Sequence, residues 1–161
     1  MPNLANCDGV RAEENTATFI LEKVLRESPT TYYQFIDVQR FVSRMWQLFD
    51  LGKHTFVPTC HHVVRLVKAN VLGLTVVDGH FKKGYQHSWL HGTDPAYIID
   101  PYPVLALNGP LLIDVGAPVS PWKDLYDAST IPSAIERPEF LDDVADFILW
   151  FERATMAFAV P

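Results

Sequence analysis

Cysteine is scarce in this chain, and so is clustered positive charge. Only two of the 161 residues are cysteines, Cys7 and Cys60. Two thiols are too few for a disulfide framework or a cysteine-rich zinc site. A single Cys7–Cys60 bridge is the one covalent staple left open. Thirteen Lys and Arg stand against nineteen Asp and Glu, for a net charge of −6. Phosphate backbones are held by clustered cations that release counterions. Only Lys82 and Lys83 sit side by side, and they read as a turn. Nucleic acids and anionic membranes are therefore not expected as partners. Long hydrophobic runs are missing too: no apolar stretch approaches the roughly 20 residues that a bilayer span needs. The first residues, MPNLANCDGVRAEEN, lack the charged-then-apolar build of a secretion signal. A soluble chain that begins in the cytoplasm is expected, and a non-classical export route would leave no mark here. Phosphate-loop, dinucleotide, nucleophile-elbow and HExxH motifs are also absent.

What is present is enough to fold. Apolar residues make up 48% of the chain and charged residues 20%, which describes a globular protein able to bury a core unaided. A single domain over 1–161 is expected, with residues 1–12 flexible. Ala17, Ile20, Leu21 and Val24 share one face of a helix over about Glu13–Glu27, which Ser28-Pro29 ends. Phe35, Val38, Val42, Met45 and Phe49 mark a second helix, about Tyr33–Leu51, with Gly52 as its stop. Thr59 is a suitable N-cap for a third helix whose face carries Cys60, Val63, Val64, Val67 and Val71. The period then shortens. Leu74–Asp78, His80–Phe81, Tyr85–His91 and Ala96–Asp100 read as strands joined by tight turns, hence antiparallel. Leu111–Val115 is a further candidate strand and Trp122–Asp127 a candidate short helix. A last helix runs over about Pro138–Ala157. The order predicts an α+β fold, with helices packed on one side of a small antiparallel sheet.

Chemistry needs a thiolate, which is scarce for a free cysteine near pH 7. A helix N-terminus lowers a thiol pKa, and Cys60 is expected at one. The bland alternative is a buried structural cysteine. His61 and His62, at i+1 and i+2, do not face Cys60 and are poor candidates for its base. His87 lies mid-strand between Tyr85 and Trp89 on one face. If Gly92–Pro95 is a four-residue loop, His91 pairs with Ala96 and His87 stands directly opposite Asp100. Their Cβ atoms would then be about 4.5–5.5 Å apart. The carboxylate could hold one ring nitrogen and aim the other at the thiol. A five-residue loop would put the two on opposite faces.

The string VVDGHFKKGYQHSWLHGTDPAYIIDPYP, with Cys60 ahead of it, resembles the core of transglutaminase-like and papain-like cysteine enzymes. Their shared pattern is a helix-starting Cys, a His followed by a small residue and Trp on a strand, and an Asp-Pro closing the next strand. Here these are Cys60, His87-Ser88-Trp89 and Asp100-Pro101, in an order also found in arylamine acetyltransferases. The likeness covers about residues 55–103, and the Cys60-to-His87 interval is shorter than those families usually show. It implies a trimmed papain-like or transglutaminase-like domain with Cys60 as nucleophile, His87 as base and later acid, and Asp100 as orienting carboxylate. The implied substrate is an amide or thioester carbonyl on a protein, peptide or small molecule. Water as acceptor gives a protease, amidase or glutamine deamidase, and an amine gives an acyltransferase. No cofactor or metal is called for. The backbone N–H of Cys60 is one oxyanion donor, and Gln39 or Gln47 could supply another. The small size fits a bacterial effector or toxin. Two rivals remain. One is a metal site drawn from Cys60 and His54, His61, His62, His80 or His87. The other is a non-catalytic protein-binding module with an acidic surface. Oligomeric state is left open.

Overall fold

The computed structural model describes residues 21–51, 58–82, 84–103, 110–116 and 123–158. Cys7, Gly52, His54, Lys83, Trp122, the stretch 1–12 and the first part of the Glu13–Glu27 helix lie outside them.

Residues 21–27 form a helix, α1, and Pro29 opens the next, α2 (Pro29–Leu51). Its start lies four residues before the expected Tyr33. A proline in the first turn gives up an N–H that has no helical acceptor anyway, so Pro29 begins α2 as well as ending α1. Helix α3 follows (Cys60–Asn70), then β1 (Thr75–Phe81), β2 (Tyr85–His91), β3 (Tyr97–Asp100) and β4 (Leu111–Asp114). A 3-10 turn at Lys123–Leu125 leads into the two-residue strand β5 (Tyr126–Asp127). The helix expected over Trp122–Asp127 is therefore confined to that turn, because Tyr126 and Asp127 pair with β1 instead. Helices α4 (Ser133–Glu136) and α5 (Phe140–Ala157) close the chain.

The five strands form one antiparallel sheet in the order β4-β3-β2-β1-β5. Alternation along β2 and β3 divides its two faces. Leu90 and Ile99 point into a core with Phe35, Val38, Val42, Met45 and Leu48 of α2, Val63, Val64, Leu66 and Val67 of α3, and Phe147 and Phe151 of α5. Each such buried side chain contributes about 1.5–3 kcal/mol. The apolar stripes read from the sequence are the faces that meet here. Trp89 and Ile98 point the other way, into a smaller cluster with Phe81 and Ile113. The mixed α+β class with helices against an antiparallel sheet is thus observed. Among the described residues, no helix is long and apolar enough to cross a membrane.

Candidate active site

Cys60 is the first residue of α3. Thr59 before it is extended, as an N-cap must be. Its backbone N–H donates to Nδ1 of His62 at 3.2 Å, so a histidine reaches back where a capping box would carry Glu or Gln. Val63, Val64 and Val67 seat the helix in the main core. The half-buried thiol therefore sits on a rigid element, at the end where the helix dipole favours an anion.

His87 and Asp100 are joined by a 2.7 Å hydrogen bond from Nε2 to Oδ2, and neither is exposed to solvent. The route to this contact differs from the simplest register. Leu90 pairs with Ile99 and His91 with Ile98, two residues out of step with a His87–Asp100 pair. The four-residue loop is Thr93–Ala96, entered by a hydrogen bond from Gly92 N–H to the Tyr97 carbonyl at 3.2 Å. A slip of two keeps every side chain on its face. His87 and Asp100 remain same-face neighbours, on the diagonal instead of directly opposed.

The start of α2 holds that turn in place. Gln34 is buried; its Nε2 donates to the Leu72 carbonyl (2.9 Å) and to Thr93 Oγ1 (2.7 Å), and its Oε1 accepts from Thr93 N–H (2.9 Å). Thr31 Oγ1 accepts from Asp94 N–H at 3.1 Å, and Ser28 donates to the Asp94 carboxylate at 2.5 Å. Gly92 packs so close that a Cβ there would lie 2.7 Å from Thr31 Cγ2.

Tyr126, which the sequence reading left aside, completes the carboxylate's shell. Its hydroxyl donates to Asp100 Oδ2 at 2.7 Å, and Tyr102 N–H donates to Oδ1 at 3.1 Å. The aromatic rings of Phe81, Trp89 and Tyr126 surround the His87 imidazole with centroids 6.0–6.1 Å away. Gly79 lets β5 approach: a Cβ there would lie 2.2 Å from the Asp127 carbonyl. Tyr126→Phe keeps the ring and removes one hydrogen bond of about 1 kcal/mol. A loss of stability of about that size is expected on denaturant titration. An unchanged stability would show that the hydroxyl bond to Asp100 contributes nothing to holding the fold.

The ionisation states follow from these neighbours. For Cys60, burial is the strongest influence and pushes the thiol pKa up, but interactions with the His61 and His87 rings outweigh it and bring it to about 6. For His87, burial is again strongest and pushes down, but Asp100 and the Cys60 thiol outweigh it and raise the ring to about 9. His87 Nδ1 is buried without a hydrogen bond of ordinary geometry, and the thiol of Cys60 is the remaining polar group that acts on the ring. Between those two values the favoured state is a thiolate beside an imidazolium.

His61 is the second departure from expectation. It is buried, and it acts on the thiol despite its i+1 position. Its Nδ1 lies 2.6 Å from Ser88 Oγ. The signal was the serine inside His87-Ser88-Trp89: strand alternation turns Ser88 away from His87 and toward α3. His62 serves as the helix cap, and burial lowers its pKa. Gln39 and Gln47 are exposed on α2 and line a cleft of about 560 Å³ with Trp46, Pro101 and Tyr102. His80 bonds Thr130 Oγ1 at 2.7 Å. Nδ1 of the half-buried His91 has no partner. Arg137 pairs with Glu139 and Asp143. Among the described residues, no three His, Cys, Asp or Glu side chains are grouped to hold a metal ion. No protein-family model, curated protein or solved structure matches the chain.

Proposed function

We propose that the protein is a cysteine-dependent enzyme acting on an amide or thioester carbonyl, built as a trimmed papain-like or transglutaminase-like domain. The observation that carries this reading is the buried His87–Asp100 pair beside a thiol whose pKa is about 6. A structural cysteine has no need of an imidazolium, a carboxylate behind it and a helix N-terminus beneath it.

The Cys60 thiolate attacks the carbonyl carbon and the π electrons move to oxygen. The N–H of Cys60, a first-turn amide without a helical acceptor, is one donor to that oxyanion. The carbonyl re-forms as the leaving group departs with the proton from His87 Nδ1. His87, neutral again, takes a proton from water or an amine, whose attack on the thioester releases the acyl group and restores the thiolate beside the imidazolium. Asp100 and Tyr126 hold the ring's other nitrogen throughout.

The test is the rate of iodoacetamide labelling at Cys60 as a function of pH, read by intact mass and peptide mapping. Labelling is expected to rise through a midpoint near 6 and level off, because the thiolate forms as pH climbs through the thiol pKa. Turnover should show the same rising limb and a second, falling limb near 9, where His87 loses the proton it must deliver. A labelling midpoint at or above the ordinary value of about 8.5 would remove the nucleophile assignment.

A further inference from the structure

The thiol has a second imidazole at its side, with its own support. His61 Nδ1 lies 2.6 Å from Ser88 Oγ, and Ser88 in turn donates to Asp78 Oδ1. Asp78 is held by both guanidinium nitrogens of Arg65, at 3.1 and 2.8 Å, and Arg65 Nη1 also donates to the His61 carbonyl at 3.0 Å. The Arg65 guanidinium lies over the Phe140 ring, 4.8 Å from its centroid. Proton counting fixes the direction of this chain. An ionised carboxylate only accepts, so the single hydroxyl hydrogen of Ser88 is committed to Asp78. Ser88 must therefore accept from His61, which puts a proton on Nδ1 and leaves Nε2 as the ring's uncommitted nitrogen. His87 has the opposite tautomer, with Nε2–H given to Asp100.

We propose that His61 is a second ionisable partner of the Cys60 thiol, held in its Nδ1–H tautomer by a Ser88–Asp78–Arg65 relay, so that two imidazoles set the thiolate population. The inference rests on the reading of Cys60 as nucleophile. With Nδ1 committed to Ser88, Nε2 is the nitrogen left to meet the thiol. Ser88 of β2 bonds the His61 ring with Asp78 of β1 behind it, Arg65 of the same helix bonds its carbonyl, and Cys60 and His62 on that helix interact with it. The edge of Phe140 on α5 closes the other side at 6.5 Å. Ser88 and Asp78 act through His61 and are positioning residues.

The test compares the pH profile of Cys60 labelling by iodoacetamide in the wild type and in Ser88→Ala, Asp78→Asn and Ser88→Thr. Ser88→Ala and Asp78→Asn are expected to move the labelling midpoint upward by about one pH unit, so that labelling at pH 6 slows about fivefold. At pH 9 to 10, where every thiol is ionised, the rates should converge. Ser88→Thr keeps the hydroxyl and should restore the wild-type profile. A purely structural change would scale the rate at every pH. A low wild-type midpoint that Ser88→Ala and Asp78→Asn leave unmoved overturns the relay alone. An ordinary wild-type midpoint overturns the nucleophile reading and the relay with it. Should those variants not fold, ¹⁵N spectra of the wild-type His61 ring decide. A protonated Nδ1 whose ring signals move when Cys60 is alkylated supports the relay, and a bare Nδ1 overturns it.

Discussion

Cys60→Ala should abolish acyl transfer, by about 10⁴-fold or more, while the protein stays folded. The residue is half-buried at the start of α3, so losing the sulfur removes few packing contacts. The proposed chemistry loses its nucleophile, the sulfur that would carry the acyl intermediate. Cys60→Ser should lose nearly as much. A serine hydroxyl is far less acidic than a thiol, and an imidazole held as a cation near pH 7 is a poor base for it. Combining either change with His87→Ala should add almost nothing, since the residues act as one unit. Turnover and melting temperature measured on the same preparations check this. A folded Cys60→Ala that keeps its full biological effect would move the reading to a binding module with an acidic surface.

The second large effect is expected at Asp100. Asp100→Asn keeps the shape but removes the charge that outweighs burial at His87. The ring's pKa should fall, and with it the imidazolium that helps hold the Cys60 thiolate. The pH window of activity then closes from both sides: the thiol limb moves up from about 6 and the imidazolium limb moves down from about 9. A loss of about 10²–10⁴-fold at the optimum is expected, with the profile visibly narrowed. An equal loss at all pH values would indicate misplacement of the ring rather than a change in its charge.

Much of this arrangement was legible in local patterns. Periodicity found α2, α3 and α5, because their apolar stripes are long and face one core. The β-branched run and the turn residues around Lys82-Lys83-Gly84 found the β1–β2 hairpin. The place of Cys60 at a helix start and the shared face of His87 and Asp100 are legible because a helix cap and a strand alternation are short-range features. The remainder depends on distant chain. Tyr126 sits in a two-residue strand, too short for any period, and reaches Asp100 only because Gly79 admits β5 beside β1. The i+1 rule misjudged His61, since it considers the helix alone and not the serine that β2 presents to it. The register was read two residues off because the entry to the turn is set by α2.

That last dependence bears on how the protein reaches its working state. The side chains that fix the β2–β3 turn lie 59 to 66 residues earlier in the chain. A hairpin by itself zips within about 1–10 μs, and two alignments of opposite-strand partners preserve the same facing pattern. Choosing between them waits on closure of a much longer loop, and distant contacts are the slow ones. Synthesis delivers Cys60 forty residues ahead of Asp100. A nascent chain therefore carries the thiol before its partner pair exists, and the register of that pair waits on α2 docking on the turn.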